Sequence, residues 1–88
     1  MKHNIKIAPR YFIDIKKGIK TFELRVNDRD YKVNDTLTLE EWIPSYGYTG
    51  RTIEREVPYI LYGGVFGLPD NLCIMSLKEQ IIEFERVE

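Results

Sequence analysis

Lys20, Thr21, Glu23 and Arg25 fall within one six-residue stretch and are the side chains here best suited to chemistry. The ammonium and the guanidinium donate hydrogen bonds, the carboxylate accepts them, and the hydroxyl does both. A guanidinium can grip a phosphate through two N–H groups or stack on a base. A carboxylate can accept from a base amino group or a ribose hydroxyl. Were the stretch catalytic, Lys20 and Glu23 would form an acid–base pair, provided their proton affinities are tuned for the task. The same residues also fit an ordinary exposed ion pair, which contributes about 0–1 kcal/mol.

The period of the sequence changes where this stretch begins. Phe12, Ile15 and Ile19 recur at helical spacing with Tyr11 beside them; Pro9 suits a first helical turn, and Gly18 is placed to end a helix of about ten residues. From residue 21, Phe22, Leu24 and Val26 alternate with Thr21, Glu23 and Arg25, the pattern of a half-buried strand. The expectation is that Phe22, Leu24 and Val26 face the core. Thr21, Glu23 and Arg25 then share the opposite surface, Glu23 and Arg25 about 7 Å apart along the strand. Lys20 stands at the mouth of that strand.

Other elements frame this junction. A short strand over 3–7 precedes the helix. Turns are expected at 27–30 and 33–35, with Asn34 suited to a left-handed conformation. A strand opens at Leu37 and reaches Trp42 and Ile43, and 44–50 reads as a hairpin loop. Ile53, Val57, Tyr59 and Leu61 share one face of a long strand in which Pro58 marks an edge or bulge. A tight loop over 63–69 leads to an apolar strand over 72–77, and the tail over 79–88 alternates weakly, as a strand would. One domain spanning 1–88 is expected, of α+β class, its sheet curled and largely antiparallel beside the helix.

Composition narrows the function classes. With 43% hydrophobic and 31% charged residues among 88, and a mean hydropathy of −0.34, the chain is neither disordered nor membrane-spanning. A lone cysteine, Cys73, and an N-terminus without a signal-peptide layout point to the cytoplasm. The net charge is −1, yet residues 16–32 carry an excess of three positive charges, with Arg29 among them, and residues 79–88 an excess of three negative ones. A locally basic segment on a neutral chain suits a small, focused anion contact, or simply a solvated face. Trp42, Tyr46 and Tyr48 could stack on bases or pack the hairpin. His3 has no second ligand in sequence reach, so no metal or cofactor is expected. The 63–67 loop lacks the ending of a phosphate loop. Cys73 reads as core.

The run Ile7-x-Pro9-x-Tyr11-Phe12-x-x-Ile15-x-x-Gly18-x-Lys20-x-Phe22-Glu23-Leu24-Arg25 resembles the signature of the ASCH domains, a branch of the PUA-like superfamily. The continuation Asn27-Asp28-Arg29-Asp30-Tyr31-x-Val33 and the later Gly63-Gly64-x-Phe66-Gly67-Leu68 resemble a small uncharacterised ASCH-like family of phages and bacteria. Asn34 stands where that pattern usually has glycine.

The resemblance covers about residues 5 to 77. It implies a small PUA-like β-barrel of five to six mostly antiparallel strands, with one main helix after the first strand. It also implies a cleft between helix and barrel lined by Lys20, Glu23 and Arg25, and recognition of RNA or a nucleoside; Thr21, on the same strand face, and Arg29, in the basic segment, are expected as further contacts. Some relatives are amidohydrolases of acetylated cytidine using Lys, Thr and Glu. Their lysine falls on Lys20, but Glu23 occupies the threonine position. Other relatives have been linked to RNA cleavage. Three readings follow: a module binding RNA or a nucleotide, a small hydrolase of modified nucleosides or RNA, and a phage or host-protein adaptor. The chain is expected to be a monomer or weak dimer.

Overall fold

Strand parity places the first half of the core. In the computed structural model, which describes residues 1–78, β1 (Lys2–Ile7) turns His3, Ile5 and Ile7 inward. α1 (Pro9–Lys16) follows after an extended Ala8, with Pro9 in the first turn and Phe12 and Ile15 buried. The helix ends in a complete Schellman motif: Gly18, at φ 77°, donates to the Ile15 carbonyl and Ile19 to that of Asp14. Lys20 also donates its N–H to the Asp14 carbonyl. The chain is thereby turned sharply and Lys20 is fixed at the exit. Ile19, which continues the helical spacing of Phe12 and Ile15 in the sequence, is exposed in this turn, because the left-handed glycine takes the chain off the helical period.

Five more strands complete the domain: β2 (Phe22–Val26), β3 (Thr36–Ile43), β4 (Gly47–Glu56), β5 (Ile60–Tyr62) and β6 (Leu72–Ser76). They form two three-stranded sheets, ordered β1-β3-β4 and β2-β6-β5. All pairs are antiparallel except β1 with β3, which is parallel. The architecture is therefore a small α+β domain with one short helix. Ile5 and Ile7, Phe12 and Ile15, Leu37 and Leu39, and Cys73 and Met75 meet in one core with Val57 and Tyr31. No helix among the described residues is long and apolar enough to cross a membrane.

Two expectations about strands change. The long strand over Ile53 to Leu61 is interrupted at 57–59, where Pro58 cannot supply a ladder N–H. Val57 is buried and Tyr59 exposed, so they share no face. The second change concerns β2, which shows its apolar side outward. Phe22, Leu24 and Val26 are each close to half-exposed, whereas Glu23 is only 5% exposed. Register explains the inversion. Residues directly opposite in an antiparallel pair share a face, and Glu23 stands opposite Met75 and Arg25 opposite Cys73, both fully buried. The expected strand over 79–88 lies outside the described residues.

Candidate functional site

A buried carboxylate on a strand costs free energy unless donors surround it, and Glu23 has two. The Lys20 ammonium reaches one oxygen at 2.9 Å and Arg25 Nε the other at 2.7 Å. Lys20 also donates to the Phe22 carbonyl at 2.6 Å. Its ammonium lies 4.7 Å from the Phe22 ring centre and 5.5 Å from that of Tyr11, within reach of both π faces. The three residues singled out in the sequence thus converge, but on the inner side of β2 rather than on its outer surface.

An open cavity of about 340 Å³ is lined by Tyr11, Lys20, Phe22, Glu23 and Leu24. It touches Phe22 and Leu24 from one face of β2 and Glu23 from the other, so it must contain the edge of that strand. Among the described residues that edge has no strand partner, since β2 pairs with β6 on its other side. The Thr21 carbonyl accepts from Leu77 and the Asn27 N–H donates to Asn71. Odd-numbered residues therefore face β6, and the backbone groups of Phe22, Leu24 and Val26 point to the open side. Aromatic walls, an apolar rim, a buried carboxylate flanked by cations and the outward backbone groups of Leu24 together suit a flat, polar-edged ligand.

The edge of β1 away from β3, which has no strand partner among the described residues, lies nearby. Arg25 donates through Nη2 to the Lys6 carbonyl, and Arg29 through Nη1 to the Asn4 carbonyl at 2.5 Å. Two guanidiniums thus stand where a strand-to-strand ladder would run. A second cavity, of about 230 Å³, opens here, lined by Ile5, Arg25, Val26, Asp28, Arg29 and Tyr31. Arg29 therefore belongs to this neighbouring space and not to the first cavity. Thr21 is exposed and lines neither, its backbone being committed to β6.

The aromatic hairpin does something else. Trp42 and Tyr48 are cross-strand partners that clasp the Lys6 ammonium, at 4.5 and 5.9 Å from their ring centres, while Tyr46 projects freely.

A separate polar cluster was not foreseen. His3 Nε2 lies 2.8 Å from Asp35, which also bonds the Met1 amino group at 3.1 Å and the Lys32 N–H at 2.9 Å. Burial acts to raise the Asp35 carboxyl. The Lys32 N–H, His3 and the amino group outweigh it and hold the group down at about 2. The signal was the parity of β1, which puts His3 in line with Ile5 and Ile7. No group of three metal-ligating side chains is found among the described residues.

Fold and site together define a small α+β domain in which a strand edge without a partner among the described residues opens on a charged, aromatic-walled cleft. The chain belongs to the family described as a domain of unknown function, DUF3850, whose model matches residues 2–77. It is also 38% identical over 55 residues to an uncharacterised 12.9 kDa protein encoded in the GpA 3′ region of Escherichia phage P2. That match covers 62% of this chain and 50% of the phage protein, so the chain spans about half the length of this relative.

Proposed function

We propose that the chain is a binding module for RNA or a nucleoside, and that the ligand's base enters the cleft between α1 and β2. The carrying observation is Glu23, buried yet bordering an open cavity, with Lys20 and Arg25 on its two oxygens and Tyr11 and Phe22 as walls. A base stacks on such rings while its polar edge meets the carboxylate and the unpaired backbone of Leu24. The reading agrees with the resemblance to ASCH domains, in which such a cleft is expected beside a PUA-like barrel. Binding is favoured over hydrolysis because the Lys20 ammonium is already engaged by Glu23 and the Phe22 carbonyl, and no serine, threonine or cysteine lines the cavity.

Titration of labelled single-stranded and structured RNA, and of free nucleosides, at low and moderate salt tests this. Binding at low salt that weakens about tenfold or more in Arg25→Ala is expected. Absence of binding at low salt, or affinity indifferent to Arg25→Ala, overturns it.

A further inference from the structure

We infer that the second cavity, between the open edges of β1 and β2, is an anion subsite that takes the phosphate of a nucleotide whose base occupies the first; this rests on the base-binding reading above. The Glu23–Arg25 ion pair is the partition between the two spaces. Glu23 lines one, Arg25 lines the other, and they are bonded at 2.7 Å. Their Cα atoms stand about 7 Å apart along the strand, comparable to the span from base to phosphate within one nucleotide. A ligand crossing that partition would place an aromatic ring among Tyr11, Phe22 and Leu24 and an anion beside Arg25 and Arg29.

The charge of the second cavity is suited to one phosphate. Arg25 and Arg29 line it against Asp28, and with Arg25 already paired to Glu23, Arg29 is the principal cation facing an anion there. Both guanidiniums are oriented by backbone carbonyls of β1 through a single terminal nitrogen each, Nη2 of Arg25 and Nη1 of Arg29. A guanidinium carries five N–H donors, and among the described residues Arg29 bonds through Nη1 to the Asn4 carbonyl. Tyr31 reports the local field: burial raises its phenol, Arg29 and then Arg25 oppose that rise, and Asp28 reinforces it less strongly than they oppose it. The two arginines thus outweigh the aspartate at the cavity wall. Holding these cations toward β1 also explains why the seam is spanned by side chains: the gap they bridge is the space an anion would enter.

The test uses the whole chain and three probes: inorganic phosphate, common ribonucleosides, and their 5′- and 3′-monophosphates, followed by NMR shifts and calorimetry. One monophosphate is expected to bind about tenfold more tightly than its nucleoside. That advantage should vanish in Arg29→Gln, and inorganic phosphate should move the Arg29 and Tyr31 signals in the wild type alone. Asp28→Asn, at an exposed position outside the core, should strengthen phosphate binding about threefold. The subsite is overturned if phosphate leaves those signals unmoved, or if monophosphates gain nothing over nucleosides that do bind. Phosphate binding that depends on Arg29, with no response to any nucleoside, leaves the subsite standing and removes the base-binding reading instead.

Discussion

Glu23 and Asp35 are both carboxylates sunk to 5% exposure, yet they sit in opposite kinds of surroundings. Asp35 is closed in. His3, the Met1 amino group and the Lys32 N–H converge on it, and the Tyr31 ring stands edge-on to His3 at 4.8 Å. These contacts tie β1 to the turn before β3, and neither Asp35 nor His3 lines either cavity, although Tyr31 walls the second. Glu23 is held by two long cationic side chains that border open space. The first carboxylate is satisfied chiefly by the Lys32 N–H of its own turn and the buried His3 ring. The second is satisfied by groups that a ligand can re-engage. Burial alone does not separate the two carboxylates; the open space beside Glu23 does.

The largest expected effect breaks the closed cluster. Asp35→Ala leaves the buried His3 ring and the Lys32 N–H without their acceptor, and a buried polar group left unsatisfied costs about 1–3 kcal/mol. That is a large share of the stability of so small a domain, read as a fall in the denaturant midpoint. The acid limb follows in sign. A carboxyl held at about 2, below its unfolded value near 3.8, stabilises the fold above pH 4. That contribution is lost as the pH falls through 2. Stability of the wild type should therefore decline over this window, and Asp35→Asn should flatten the decline. An unchanged pH profile in that variant would show that Asp35 is not the linked group.

A mirror-image result is expected at Glu23. Glu23→Gln keeps the shape, and Lys20 and Arg25 can turn toward solvent, so stability should fall by about 1 kcal/mol or less. Ligand affinity should drop at least tenfold, since the amide presents a donor where the pocket offers an acceptor. Thermal melts of both variants beside RNA or nucleoside titrations separate the two clusters. If Glu23→Gln costs as much stability as Asp35→Ala, Glu23 is a structural ion pair and the contrast collapses.

How far this was legible in the sequence depends on whether a feature is local. The helix start at Pro9, its end at Gly18 and the left-handed Asn34, at φ 78°, are set by backbone constraints within a few residues, and each was readable. So was the grouping of Lys20, Glu23 and Arg25. Which face of β2 they occupy was not. Alternation supplies two equivalent faces, and the choice between them was made by β6, which is apolar on both sides and brought Met75 and Cys73 opposite Glu23 and Arg25. Pairing across fifty residues has no local signature. For the same reason Tyr11 and Phe22 were read as helix and core residues, although they wall the cleft. Even so, His3 could have been placed inward from the parity of Ile5 and Ile7 alone.

The smallest expected effect concerns salt. Residues 16–32 carry an excess of three positive charges, which by itself would suggest a broad electrostatic track. The structure divides that charge. Lys20 and Arg25 are neutralised in part by Glu23, and Lys32 pairs with Asp30 at 3.2 Å. Lys16 and Lys17 lie at the end of α1 and line neither cavity. Arg29, with its remaining donors, is left as the main cation for a phosphate. Since each neutralised phosphate of a single strand contributes a slope of about −0.7 in log K against log salt, the slope for RNA should be about −0.7 to −1.4. A slope several times steeper would bring Lys16 and Lys17 into the contact and move the binding surface from the strand edge to the helix end. A slope in the expected range that drops toward zero in Arg29→Gln would place the ionic contact at the β1–β2 seam, with the cleft beside Glu23 supplying the salt-independent remainder.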